Sequence, residues 1–338
     1  MTTQKDVAER AGVSFITVSR VINNKGNVKQ KTRERVLKVI EELNYYPNTL
    51  AQGLNANKSN TISILPLLRE IAMMEEISFY RRIIAGVERY CCESEIDILL
   101  STLRGDPEKI DYLRHYYLRK SDGLILIGIS PDRLIDKIEK DKIPCSFIGE
   151  KGRPGRANYM HSDNRLGSRQ ITEYLIKNGH TKIAYIFAEN PSADIIERYE
   201  SFIEVMEENR IAFPKEYLLY GDYMEKGGRK AIRKIAAMRD KPTAIISATD
   251  TMALGVFDEA KKLGIDIPND ISLVGFDGHE FCQFMTPPIA TVIQDLEGLG
   301  YLAAKLTIEQ INDPEKKGES HIFPVIFEPR GTVKSLID

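Results

Sequence analysis

The chain has 338 residues, with 47 Lys/Arg against 49 Asp/Glu and a formal net charge of −2. That length exceeds one ordinary core and predicts two or three domains, and 42% hydrophobic with 28% charged residues is the composition of a soluble globular chain. No apolar run approaches the roughly 20 residues of a bilayer span, and M-T-T-Q-K-D lacks the apolar core of a secretion signal, so a cytoplasmic protein is expected.

Cysteine usage agrees. Cys91, Cys92, Cys145 and Cys282 form no C-x-x-C pair, which argues for free thiols and against a disulfide framework or a zinc site. The charge is unevenly spread. Residues 1–60 hold ten Lys/Arg and five Asp/Glu, while the rest holds 37 against 44. A basic head on an acidic body predicts that the head alone approaches a polyanion.

In the head, Thr3 is placed to cap a helix from near Gln4, with Val7, Ala8 and Ala11 on one face. Gly12 permits the left-handed backbone that ends it. Ser14 caps a second helix, Phe15 to about Asn23, with Val18, Val21 and Ile22 inward. Two short helices about a glycine turn make a helix-turn-helix, whose second helix reads the major groove. Lys31 to Leu43 is a third helix, with Val36, Val39, Ile40 and Leu43 at core spacing and Lys31, Arg33, Arg35 and Lys38 on a basic face. A small helical bundle with no DNA role has the same pattern. The polar set Ser14, Thr17, Ser19, Asn23 and Thr32 favours DNA, because short hydroxyls and amides suit phosphate oxygens. Beyond Pro47, Asn48 is placed to cap a short helix from Thr49 to about Ala56. So short a helix nucleates poorly alone, and Gly53 weakens it further.

From Thr61 strands and helices alternate. Strands are expected at Thr61–Leu65, Ile96–Thr102, Gly123–Ile127 and Cys145–Ile148, and helices at Phe79–Cys92, Glu108–Arg119 and Asp132–Lys140. The run K-G-R-P-G-R (Lys151 to Arg156) breaks the rhythm. A second series follows, with helices at Asp163–Asn178, Glu197–Glu208, Lys226–Met238 and Asp250–Leu263. Its strands fall at Lys182–Phe187, Ala244–Ser247 and Ser272–Phe276. A long helix, Leu296–Asn312, and late strands near Ile322–Phe327 close the chain. This is βαβ repetition in two α/β lobes, parallel sheets flanked by helices, with ligands expected at the carboxyl ends of the strands.

The block K-D-V-A-E-R-A-G-V-S-F-I-T-V-S-R-V-I-N and the later L-N-Y-Y-P-N-T-L-A-Q-G-L resemble the lac repressor / galactose repressor family of bacterial transcription regulators. The likeness continues through Asp163–Ala184, D-T-M-A-L-G-V (Asp250 to Val256) and I-S-L-V-G-F-D (Ile271 to Asp277). It implies a body like the periplasmic sugar-binding proteins, crossed three times between its lobes. Residues 1–47 would be the reading head, 48–60 a hinge helix and linker. One lobe would hold 61–160 and about 293–320, the other 161–292 and about 321–338.

By the same resemblance, Phe15, Ile16 and Arg20 occupy base-reading positions. An Arg20–guanine pair is worth about 1–3 kcal/mol of discrimination, while Phe15 and Ile16 have no side-chain hydrogen bond to offer a base. Thr3, Asn48 and Ala51 join the DNA-facing set. Lys29, where relatives often have a capping Ser, adds a phosphate contact, and Leu54 is the wedge of a dimer's paired hinge helices in the minor groove. In the body, Arg198 matches an effector-binding arginine and Asp277 a carboxylate for ligand hydroxyls. Phe79 and Tyr80 match ring-stacking positions, with Phe276 near them. Thr249 replaces a common Asn. Gly149, followed by Glu150, replaces an Asp of some relatives. Such a set fits a sugar or sugar phosphate.

The expectation is a homodimeric cytoplasmic regulator, a repressor of double-stranded operator DNA, switched by a small-molecule effector between its lobes. A solute-binding protein would share the body but need export and lack the head, and some relatives answer to a phosphorylated protein co-effector. No leucine-heptad tail follows residue 330. No H-E-x-x-H, G-x-S-x-G or P-loop spacing marks an enzyme, and no metal or cofactor is implied.

Replacing Leu54 by Ala is expected to weaken binding to the specific operator far more than to random DNA. Titrations of both duplexes at one salt concentration check this, and equal losses would refute the wedge.

Overall fold

The computed structural model describes residues 2–22, 26–45, 58–67, 77–101, 109–128, 130–150 and 152–337. The expected hinge helix, with Asn48, Ala51 and Leu54, lies outside the described residues, as does Asn23. The chain divides into two compact units, Met1–Ser59 and Asn60–Asp338.

The first unit is three helices: α1 (Gln4–Ala11), α2 (Phe15–Ile22) and α3 (Gln30–Glu42). Thr3 and Asp6 satisfy each other's backbone N–H groups in a capping box, and Gly12 adopts φ 61°. Those hydrogen bonds from Thr3 hold the Asp6 carboxyl below its ordinary pKa. The Thr17 N–H donates to Ser14 Oγ at 3.2 Å, so Ser14 caps α2 as expected. Val7, Ala11, Val18, Val21, Val36 and Val39 close one small core.

The second unit contains two parallel sheets. The six-stranded sheet is built from β1 (Thr61–Pro66), β2 (Asp97–Leu100), β3 (Gly123–Ile127), β4 (Cys145–Ile148), β5 (Asn158–Ser162) and β11 (Ser320–Phe323), in the order β11-β5-β4-β3-β1-β2. Strand β3, G-L-I-L-I, is buried at every residue, as a central parallel strand covered on both faces must be. One face carries α4 (Ile77–Glu93) and α12 (Leu296–Asn312), through Ile83, Val87, Leu299 and Ala303. The other carries α6 (Asp132–Lys140), which buries Leu134, Ile135 and Ile138.

The second lobe pairs β6 (Ile183–Ala188), β7 (Leu218–Gly221), β8 (Ala244–Ser247) and β9 (Ser272–Val274) in the order β7-β6-β8-β9. It is covered by α7 (Asn164–Lys177), α8 (Ala193–Glu208), α9 (Glu225–Ala236) and α10 (Asp250–Lys262). A two-stranded antiparallel ribbon joins β10 (Thr291–Gln294) to β12 (Val325–Glu328).

The chain passes between lobes after β5, after β10 and after β11. Two of the crossings start a helix, each capped by an aspartate. Asp163 Oδ1 accepts from the Leu166 N–H at 2.9 Å, and Asp295 Oδ1 from the Gly298 N–H at 2.8 Å. The Asp163 N–H also donates to the Phe323 carbonyl at 2.8 Å, tying the first crossing to the third. The first lobe's sheet runs to Ser162 and Phe323, beyond the breaks expected near residues 160 and 320.

One expected helix is corrected. Of Glu108–Arg119, only a single turn, α5 (Arg114–Tyr117), is helical among the described residues. Asp111 Oδ1 accepts from the Leu113 N–H, a local turn that competes with helix, and Arg119 takes φ 55° and ends it. Strands β5, β7 and β10 and the turn α11 (Phe281–Phe284) were not anticipated, and β9 stops at Val274, so Phe276 and Asp277 stand in the loop beyond it.

Among the described residues, each lobe has a helix pair in close backbone approach. A Cβ on Gly86 of α4 would collide with the Glu297 carbonyl of α12, and one on Gly300 with the Ile83 carbonyl. Gly228 and Gly255 make the same reciprocal approach between α9 and α10. The Gly86→Val variant should therefore lose about 2–3 kcal/mol by forcing α4 and α12 apart. Urea unfolding reads the loss, and an unchanged midpoint would show that the contact can relax.

Candidate DNA-reading face and effector cleft

On the head, core demand decides which residues are free to read. Val18 and Val21 turn inward, which leaves Phe15, Ile16 and Arg20 on the outer side of α2. Phe15 is 48% exposed and Ile16 61%, a large apolar area to leave in water on so small a unit. Arg20 is exposed, and its aliphatic stem passes over Gly26. Ser14 and Thr17 share a hydroxyl–hydroxyl hydrogen bond of 2.9 Å at the start of the same helix. Ser19 and Thr32 are half-buried. Lys29 is exposed and precedes α3 without a side-chain cap. The Thr3 hydroxyl is engaged with Asp6.

In the body, the strands' carboxyl ends converge on Arg198. This residue lies on α8 and is only 4% exposed. Its Nε donates to Asn164 Oδ1 at 2.8 Å, and its Nη1 donates to the Ala248 carbonyl at 2.7 Å and to Asp277 Oδ1 at 3.1 Å. The guanidinium lies 3.6 Å above the Phe276 ring centroid. Asp277, at φ 122°, also accepts from Gln294 Nε2 at 2.9 Å. Arg82 reaches from α4 of the first lobe to the carbonyls of Gly278 (3.3 Å) and Gln294 (3.0 Å).

The expected residues divide. Arg198 and Asp277 are brought together. Phe276 is 2% exposed and forms the floor under Arg198; its ring also packs at Gly167. Thr249 spends its hydroxyl on the Met252 N–H at 3.2 Å, capping α10. Phe79 and Tyr80 are half-buried, edge to face at 5.4 Å, against the first lobe's core. Tyr80's hydroxyl approaches Gly128, at the end of β3. Asn164, Gln294 and Arg82 were missed: each joins the cluster only through a lobe crossing or from the opposite lobe, and no local spacing signals that. Gly149 has Asp194 Oδ2 beside it, and Glu150 Oε1 accepts from the Ser130 N–H at 2.6 Å.

The cleft is acidic. Burial pushes the Asp194 carboxyl up to about 6, with Arg198 and His161 opposing and Glu197 reinforcing. Burial also raises Glu150. Asp250, wholly buried behind Asp277, is pushed up to about 7 by burial and by that neighbour's charge, against hydrogen bonds from Thr291, the His279 N–H and Cys282. No described helix is long and apolar enough to cross a membrane, and all four cysteines are free.

A helix-turn-helix reader on a chain whose body is a two-lobed binding fold defines a DNA-binding regulator of transcription. Comparison with known proteins narrows this. Residues 3–48 match the model of bacterial regulatory proteins of the lacI family, and residues 172–333 that of the periplasmic binding protein-like domain. The chain is 34% identical to the HTH-type transcriptional repressor PurR of Vibrio vulnificus, over 99% of this chain and 100% of that protein. It is 31% identical to the ribose operon repressor of Escherichia coli, over 97% and 99%. The solved lac repressor dimer bound to operator and an anti-inducer superposes with a TM-score of 0.86 at 26% identity, covering 98% of this chain and 99% of that one. The chain belongs to the lacI family of bacterial regulatory proteins.

The buried Asp250 sets a pH dependence. Its native pKa is raised from 3.8 to about 7, so its contribution to stability is full below the unfolded value and is lost as pH rises toward 7. Asp250→Asn should flatten the change in stability between about pH 4 and 7. Denaturant melts across that range test this, and an unaltered slope would contradict it.

Proposed function

We propose that this regulator is a repressor whose effector is a neutral polyhydroxylated molecule of the sugar class, held at the junction of the two lobes. The observation that carries this is the balance of charge there. Both guanidiniums are engaged, Arg198 by Asp277, Asn164 and a carbonyl, and Arg82 by two carbonyls. Around them stand the carboxyls of Asp194, Glu197, Asp250 and Asp277, with Glu150 on the first lobe's rim. A phosphate dianion would meet those carboxyls while the guanidiniums of Arg198 and Arg82 are already engaged, whereas hydroxyls can donate to carboxylates and accept from Asn164. The ribose operon repressor among the relatives supports a sugar.

In this reading Arg198 and Asp277 are the polar anchors and Tyr80, with Phe79 behind it, borders the site from the first lobe. Phe276 and Thr249 act indirectly, as floor and helix cap. On the head, Arg20 carries the hydrogen-bonded reading, and Phe15 and Ile16 meet thymine methyls or groove shape. Ser14, Thr17, Ser19, Lys29 and Thr32 hold phosphates, and Thr3 preserves α1. The protein acts in the cytoplasm as a homodimer on a two-half-site operator, and releases its effector chemically unchanged.

A melting-temperature screen of neutral sugars against their phosphate esters tests the effector class. A neutral sugar at 100 times its Kd should stabilise the chain by about 2.7 kcal/mol, its phosphate ester should do less, and Arg198→Ala should abolish the shift. A phosphate ester that stabilises where its parent sugar does not would overturn the charge argument.

A further inference from the structure

Beside the Arg198 cluster lies a second group, from which the effector reading uses only the carboxyl charge of Asp194 and Glu197. His161, at the end of β5 in the first lobe, faces Asp194 and Glu197, one turn apart on α8 of the second. One ligand atom from each lies within 4.8 Å of the others. We infer that His161, Asp194 and Glu197 form a binding site for a divalent transition-metal ion of the zinc class, bridging the two lobes.

The chemistry of the donors selects the ion. One imidazole and two carboxylates, with no thiolate, suit a borderline ion such as Zn2+, whereas Mg2+ and Ca2+ take oxygen donors.

The imidazole has a partner outside the trio. His161 Nδ1 lies 3.0 Å from the Ser162 carbonyl. A carbonyl can only accept, so Nδ1 carries the proton and the neutral ring's lone pair is on Nε2. Fixing a ligand's tautomer through its far nitrogen is what an outer partner does in metal sites.

The Asp194 carboxylate is likewise held from outside the trio, since Asn164 Nδ2 donates to its Oδ1 at 2.7 Å and to the Ser162 carbonyl at 3.1 Å. Asn164 thus braces both sides of the group. Glu197 is 8% exposed, so the third donor of the trio is buried.

Four-coordinate zinc places its ligand atoms ~3.3 Å apart, so binding must draw the three donors inward. Because His161 belongs to one lobe and the carboxylates to the other, that contraction favours the closed arrangement. Three protein ligands leave a fourth position for water. The site shares Asp194 and Glu197 with the acidic lining on which the effector reading rests, and a Zn2+ titration without effector reads it separately.

The test uses the full chain, stripped with a chelator and titrated with Zn2+ alone. One equivalent should bind per chain and raise the melting temperature in a saturable way, while Mg2+ at the same concentration does nothing. His161→Gln and Glu197→Gln should each weaken binding by about tenfold or more. His321→Gln should not, although its half-buried ring sits 2.9 Å from Glu319. Circular dichroism of each variant shows that it is folded, and Co2+ in the wild type supplies an independent reading through the visible bands of a four-coordinate nitrogen–oxygen site. Absence of saturable Zn2+ binding to the wild type overturns the site, as does undiminished binding in both folded variants.

Discussion

A single buried guanidinium organises the body. Arg198 takes its partners from four places: Asn164 just after the first crossing, Ala248 after β8, Asp277 after β9, and, through Asp277, Gln294 just before the second crossing. Removing two charges from water costs several kcal/mol per ion, and only a fully hydrogen-bonded arrangement offsets it. Here Phe276 below and three acceptors around the guanidinium supply that arrangement. Loss of Arg198 alone would leave Asp277 buried without its counter-charge, a fault typically worth about 3–5 kcal/mol. The same pair therefore stabilises the second lobe and gathers the crossings at the place where a ligand must act.

The lobes themselves are built to move as blocks. Each is clamped by a helix pair with reciprocal glycine contacts, Gly86 with Gly300 in the first lobe and Gly228 with Gly255 in the second. Close-packed backbones do not deform gradually. Three crossings join the lobes, and among the described residues polar groups face across them: Arg82 on one side, and His161 facing Asp194 on the other. Polar contacts that exchange readily with water are suited to a joint that opens, whereas an apolar seam would weld it.

Much of this was legible in advance. The head's caps, its glycine turn and its core positions follow from local rules acting over four residues, and Thr3, Gly12, Ser14, Val18 and Val21 stand as expected. Helices α6 and α12 and strands β3, β4 and β8 match in both ends, because amphipathic period and breakers mark them. The short strands β5, β7 and β10 were not seen. Four or five residues carry too little periodicity, and their pairing is decided by a neighbouring strand far along the chain. The Glu108–Arg119 helix failed for the opposite reason: a plausible pattern was overridden by the Asp111 turn.

The candidate site shows the same division. Sequence by itself determined the residues that act through local chemistry: the reading helix, the capping hydroxyls, and the presence of an arginine, a carboxylate and aromatics at matching positions. Tertiary structure alone decided their roles. It made Phe276 a floor instead of a wall and committed Thr249 to a helix end. It also set Asn164, Gln294, Arg82 and His161 against partners up to 212 residues away. Spacing along a chain encodes turns and faces, because those depend on bonds over a few residues. Which charge ends up buried against which partner depends on how two lobes close over three crossings, and no local pattern records that.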